Sequence, residues 1–73
     1  METMLTREVY IRRLNRFGDR IHDSWHIVFD MDKFVRSLHD QCGKNREKGD
    51  EAEMHDFHVI GKTEYLRMRR VGV

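Results

Sequence analysis

The chain has 73 residues, enough for one domain and too few to enclose a large pocket. Its 14 Lys and Arg nearly balance 13 Asp and Glu. The sequence pI of about 8.0 is below what a dedicated nucleic-acid binder usually shows. A single cysteine, Cys42, excludes an intrachain disulfide, and no apolar run approaches the roughly 20 residues of a membrane span. The expectation is a cytoplasmic protein without a membrane segment or secretory signal.

The first segment, residues 6–17, carries two patterns. Val9, Tyr10 and Ile11 favour a strand, with Val9 and Ile11 on one face and Tyr10, Arg12 and Leu14 on the other. Tyr10, Leu14, Phe17 and Ile21 also fit helical spacing. Asn15-Arg16-Phe17-Gly18 reads as a turn, because Gly18 adopts positive φ at no steric cost. Residues 19–42 read as one long helix. Asp19 is a suitable N-cap, Ile21, Trp25, Val28, Met31, Val35, Leu38 and Cys42 recur every three or four residues, and Gly43 suits the left-handed position after a helix. A competing reading makes Trp25–Met31 a buried strand, with Asp32 capping a helix over 33–42. Ile27, Val28 and Phe29 are strand formers, and Asp30-Met31-Asp32 is a poor helix interior.

Residues 43–53 have no large apolar side chain and read as a flexible charged loop or a fraying helix tail. Residues 56–71 read as a hairpin: Phe57-His58-Val59-Ile60, a turn at Gly61-Lys62-Thr63, then an alternating strand from Glu64 to Val71. The helical alternative for this stretch puts Gly61 in the middle of the apolar stripe Met54, Phe57, Gly61, Tyr65 and Met68, at a cost of about 1 kcal/mol. The fold class expected is therefore α+β, a single domain over 1–73. One main helix over 19–42 packs on an antiparallel sheet formed by residues 7–13 and the 56–71 hairpin, with flexible termini. The alternative is an all-α bundle of two or three helices.

Several constellations test specific chemistries. His39-x2-Cys42 and His55-x2-His58 resemble paired zinc ligands, although the second spacing is tight and three His with one Cys is an uncommon set. Solvated histidines are the plainer reading, and no metal or other cofactor is expected. His22 and His26 would share a helix face as a surface pair. Cys42 near a histidine has no accompanying oxyanion site or substrate pocket, so no enzymatic role is assigned. Gly61-Lys62-Thr63 lacks the glycine spacing of a phosphate-binding loop.

The basic charge collects at the two ends. Residues 1–20 carry five Arg against three acids, and residues 57–73 carry four basic groups against Glu64 alone. Residues 21–56 hold five basic and nine acidic groups. If both end segments were strands, Arg12, Arg13 and Arg16 would converge with Arg67, Arg69 and Arg70 on one face, with Tyr10 and Tyr65 interleaved. Such a face suits an acidic protein surface or phosphates. Val9, Tyr10, Ile11, Arg12 and Arg13 are the expected partner contacts on the first segment, by strand pairing if Val9–Ile11 lies on an exposed edge.

Over the whole length, the Met-Glu-Thr-Met start, the run from Val9 to Trp25 and the tail from Glu64 to Val73 resemble the small transcription regulators of lytic Xanthomonas phages. The resemblance implies a monomeric, non-enzymatic regulator that binds the β and β′ subunits of host bacterial RNA polymerase. It implies that the regulator displaces the sigma factor to inhibit initiation and acts as an antiterminator in elongation. It supplies no residue-level motif. The alternative is a small nucleic-acid-binding module using the arginines of both chain ends.

Overall fold

A computed structural model describes residues 5–71, with side chains described up to residue 67. Strands β1 (Arg7–Leu14) and β2 (Arg20–Val28) are followed by helix α1 (Met31–Lys48), strand β3 (Asp56–Ile60) and helix α2 (Lys62–Val71). The fold is α+β, with a long helix on a three-stranded antiparallel sheet and a second, short helix. The sheet order is β2-β1-β3, so β1 is the central strand and β2 and β3 are the edges.

β1 and β2 form a hairpin whose connection is set by side-chain chemistry. Asn15 Oδ1 accepts from the N–H groups of Phe17 and Asp19, and Gly18 takes φ 82° in the left-handed region. These bonds supply the turn with partners that its own backbone lacks. Tyr10 lies opposite Trp25 and Arg12 opposite Asp23 across the β1–β2 pair. Tyr10 lies opposite Ile60 and Arg12 opposite His58 across the β1–β3 pair.

The alternation of β1 splits the molecule into two faces. Val9 and Ile11 point to the side covered by α1 and pack with Val28, Leu38, Cys42 and Met54, with Met31, Phe34 and Phe57 around them. Ile11 is fully buried. Tyr10 and Arg12 point the other way, towards α2. There the Tyr10 and Tyr65 rings meet at 4.8 Å, and Arg12 bonds Glu64.

Three sequence expectations are corrected. The single helix over 19–42 is instead β2, a turn and the start of α1. Ile21, Trp25 and Ile27 also recur with period two, and the hairpin bonds made by Asn15 draw the segment into the sheet. The competing strand-then-helix reading is closer, although the cap is Asp30, which accepts from Lys33 N–H at 3.1 Å. Second, α1 does not stop at Gly43 but continues through residues 43–48 to Gly49, at φ 72°, whose N–H bonds the carbonyls of Asn45 and Arg46. Third, the second strand of the 56–71 hairpin is the helix α2. Glu64, Leu66, Arg67 and Met68 are strong helix formers, and Gly61 sits outside the helix, where its propensity costs nothing.

Candidate functional site

The residues expected to contact a partner are mostly committed within the fold. From Tyr10 to Leu14 both edges of β1 are paired, which removes strand addition there. Val9 and Ile11, 4% and 0% exposed, are core residues beneath α1. Tyr10 is buried against Tyr65, and its hydroxyl donates to Glu8 at 3.3 Å. Arg12 forks onto both carboxylate oxygens of Asp23 at 3.1 and 3.3 Å, and reaches Glu64 at 3.1 Å. The bond to Asp23 leads the influences that raise the Arg12 pKa still further. Arg13 donates to the Ser24 hydroxyl. Of the C-terminal arginines, Arg67 is exposed on α2, whereas the side chains of Arg69 and Arg70 lie outside the described residues. Arg12 and Arg13 thus do not join Arg67 on one open basic face.

The zinc ligand set is also dispersed. His39, an exposed residue of α1, meets the Phe57 ring edge-on, and Cys42 is buried in the core. His58, opposite Arg12, lies on the other face of the sheet. Among the described residues no group of three or more His, Cys, Asp or Glu is placed to hold a metal. Burial is the main cause that raises the Cys42 thiol pKa, with Asp56 adding to it and Arg46 and Arg13 opposing it, so the thiolate nucleophile is disfavoured. His22 and His26 lie on a strand and not on a helix. His26 Nε2 is 2.8 Å from Ser24 Oγ, and its ring meets Phe34. Burial, then the Arg13 charge, lower the His26 pKa.

What lies open is β2. It pairs with β1 on one side only, and among the described residues no strand covers its other edge. Trp25 is 52% exposed and Ile27 57%, both on the α2 side of the sheet. Phe29, in the turn before α1, is 64% exposed. Beside them is an open cleft of about 440 Å³ lined by Ile27, Phe29, Lys33, Phe34 and Ser37. Arg20 and His22 make the far end of the strand polar. An aromatic anchor, an aliphatic neighbour, an unpaired strand edge and a charged rim are the parts of a protein-docking surface.

Sequence reasoning assigned Trp25 to a buried helical stripe and missed this surface. The signal was present as the period-2 placement of Ile21, Trp25 and Ile27, which puts three apolar side chains on one face of a strand, interrupted only by Asp23.

Comparison of the chain with protein-family models, curated proteins and solved structures gives no match. No helix among the described residues is long and apolar enough to cross a membrane.

Proposed function

We propose that the chain is a non-enzymatic transcription regulator that docks its β2 edge onto the β and β′ subunits of a bacterial RNA polymerase. In this reading it inhibits initiation by displacing the sigma factor and acts as an antiterminator in elongation. The partner comes from the whole-length resemblance to phage regulators. The docking surface is carried by one observation, the exposure of Trp25, Ile27 and Phe29 along an unpaired strand edge. Inhibition of a large enzyme by a small protein requires a few well-packed anchors, not a reaction. Trp25 is the anchor and Ile27 and Phe29 flank it. A partner strand laid along β2 supplies main-chain hydrogen bonds and sets register.

The experiment is a pull-down from nuclease-treated bacterial lysate with tagged chain, using wild type and Trp25→Asp. Recovery of the polymerase large subunits by wild type and their loss with Trp25→Asp is the expected result. Trp25 is half-exposed, so the variant retains the fold, which its circular dichroism verifies. Absence of polymerase from the wild-type eluate ends the reading. Equal recovery by both forms moves the contact away from β2.

A further inference from the structure

At the end of the hairpin opposite Phe29, a cleft of about 860 Å³ opens between the β1–β2 turn and the last turns of α1. Its lining includes Arg16, His39, Arg46, His55 and the two left-handed glycines, Gly18 and Gly49. A Cβ added at either glycine meets no atom within 4 Å, so the space beside both is open.

Arg46 donates from Nη1 to the His55 carbonyl at 2.8 Å, a neutral acceptor, and makes no ion pair among the described residues. It therefore has no carboxylate partner there, while its position is fixed. Arg16 bonds Glu51 at 2.7 Å, with both side chains more than half exposed. Such a pair contributes little and exchanges readily for a stronger anion. His55 donates from Nε2 to the Asp50 carbonyl at 2.7 Å, because a carbonyl only accepts, and this bond fixes the ring. Asp56 is the one carboxylate in the lining, and its Oδ1 already accepts the Phe57 N–H at 2.8 Å. The lining sets the two guanidiniums against the one carboxylate of Asp56, with Glu51 paired to Arg16 beside it. The C-terminal carbonyls of α1 oppose an anion here. Those of Asn45 and Arg46 are capped by the N–H of Gly49, which removes part of that opposition.

We propose that this cleft binds a phosphate group, held between the Arg16 and Arg46 guanidiniums with His39 and His55 beside it. Guanidinium forks match phosphate oxygens in geometry and charge. The open cleft has room for more than a free phosphate, so the ligand class is a phosphate ester, and a nucleotide and a nucleic-acid strand are the two sources to be tested. The site shares Arg16 with the chain-end arginine face expected from sequence, but its second arginine, Arg46, comes from α1, thirty positions away.

The test is amide-resolved NMR of the full chain at low salt, titrated separately with inorganic phosphate, uridine monophosphate and a short single-stranded oligonucleotide. The expected result is saturable shifts concentrated at residues 15–18, 46–49 and 55–56. Arg46→Gln and Arg16→Gln should each weaken binding about tenfold, the effect of losing one charge-assisted contact. Arg46 also bonds the backbone of His55, so the exposed Arg16 variant keeps the test independent of stability. Saturation by the two small probes assigns a phosphate ester by itself. Binding of the oligonucleotide alone, weakening steeply with salt, assigns backbone phosphates. Shifts scattered over the chain, an absence of shifts with all three probes, or wild-type affinity in both variants overturns the proposal. Polymerase retention by Arg16→Gln reports on the β2 surface separately.

Discussion

Asp23 holds a carboxylate that is only 5% exposed between two guanidiniums, Arg12 at 3.1 Å and Arg20 at 3.7 Å. The closer one also reaches Glu64 on α2, so a single arginine ties the central strand to an edge strand and to the second helix. Removing it leaves Asp23 largely uncompensated in a desolvated position and releases α2 on one side. Arg12→Ala is therefore expected to cost about 2–4 kcal/mol. Glu64→Ala removes a half-exposed partner and should cost under about 1 kcal/mol. Arg12→Lys keeps the charge but loses the fork, and should fall between them. Urea unfolding of the three variants checks the order, and equal midpoints for Arg12→Ala and Glu64→Ala would contradict it. The same geometry shows how Arg12, expected as a partner contact, is engaged within the chain. Arginine in a strand looks like a surface residue in sequence, and only the register opposite Asp23 shows that its charge is spent inside the molecule.

The tail of α1 shows how tertiary contacts override local preference. Residues 43–48, Gly-Lys-Asn-Arg-Glu-Lys, have no apolar anchor and begin with a glycine, yet they are helical. The cause is Asn45, which is 4% exposed. Its Nδ2 donates to the Met54 carbonyl at 2.8 Å, while its Oδ1 accepts from Gln41 Nε2 at 3.1 Å. Met54 is itself in the core, so without Asn45 its carbonyl loses its side-chain donor in a dry site. Asn45→Ala should cost about 1–3 kcal/mol and lower the amide-exchange protection of residues 46–49 selectively. Gln41→Ala, which spares the bond to Met54, should do much less. Unchanged protection in Asn45→Ala would mean that the tail holds by other contacts. The elements that the sequence revealed are those with short-range causes. β1 shows strand formers in alternation, the Asn15–Gly18 turn shows its turn residues, and the strand Phe57–Ile60 shows its β-branched pair. β2, the end of α1 and α2 depend on partners far away in sequence. Period-2 and period-3.6 spacings coincide at Ile21 and Trp25, and the arbitrating contacts are the pairs to β1. The open surface was missed for the same reason, since an edge is defined by what is not beside it. The cleft between Arg16 and Arg46 has no sequence signature either, because its walls meet only after the hairpin and α1 are placed.

As a whole the molecule is a thin plate, with Cα extents of 47 × 33 × 12 Å and a radius of gyration of 14.0 Å. A compact 73-residue domain would have about 11 Å. A plate with a small core has much surface per residue and draws little stability from burial. It also offers a long edge, and here the edge bears the tryptophan. Arg20 and His22 on the same strand are the kind of polar groups that discourage unspecific edge-to-edge pairing, so a partner must meet both the apolar row and the charged end. Trp25 is the chain's one tryptophan, which makes its fluorescence a direct report on that row. In the free chain, with the side chain 52% exposed, emission should be close to that of solvated indole and readily quenched by acrylamide. Addition of purified RNA polymerase core to a 5-fluorotryptophan-labelled chain, read by ¹⁹F NMR to avoid the polymerase's own tryptophans, should shift and broaden the resonance and protect it from solvent. Binding to the folded form alone should also raise the melting temperature of the chain, because about 2.7 kcal/mol is gained when the partner stands at 100 times its dissociation constant. A rise in melting temperature with an unmoved Trp25 resonance would show a partner bound to a different face. Neither change, with polymerase in excess, would end the polymerase reading.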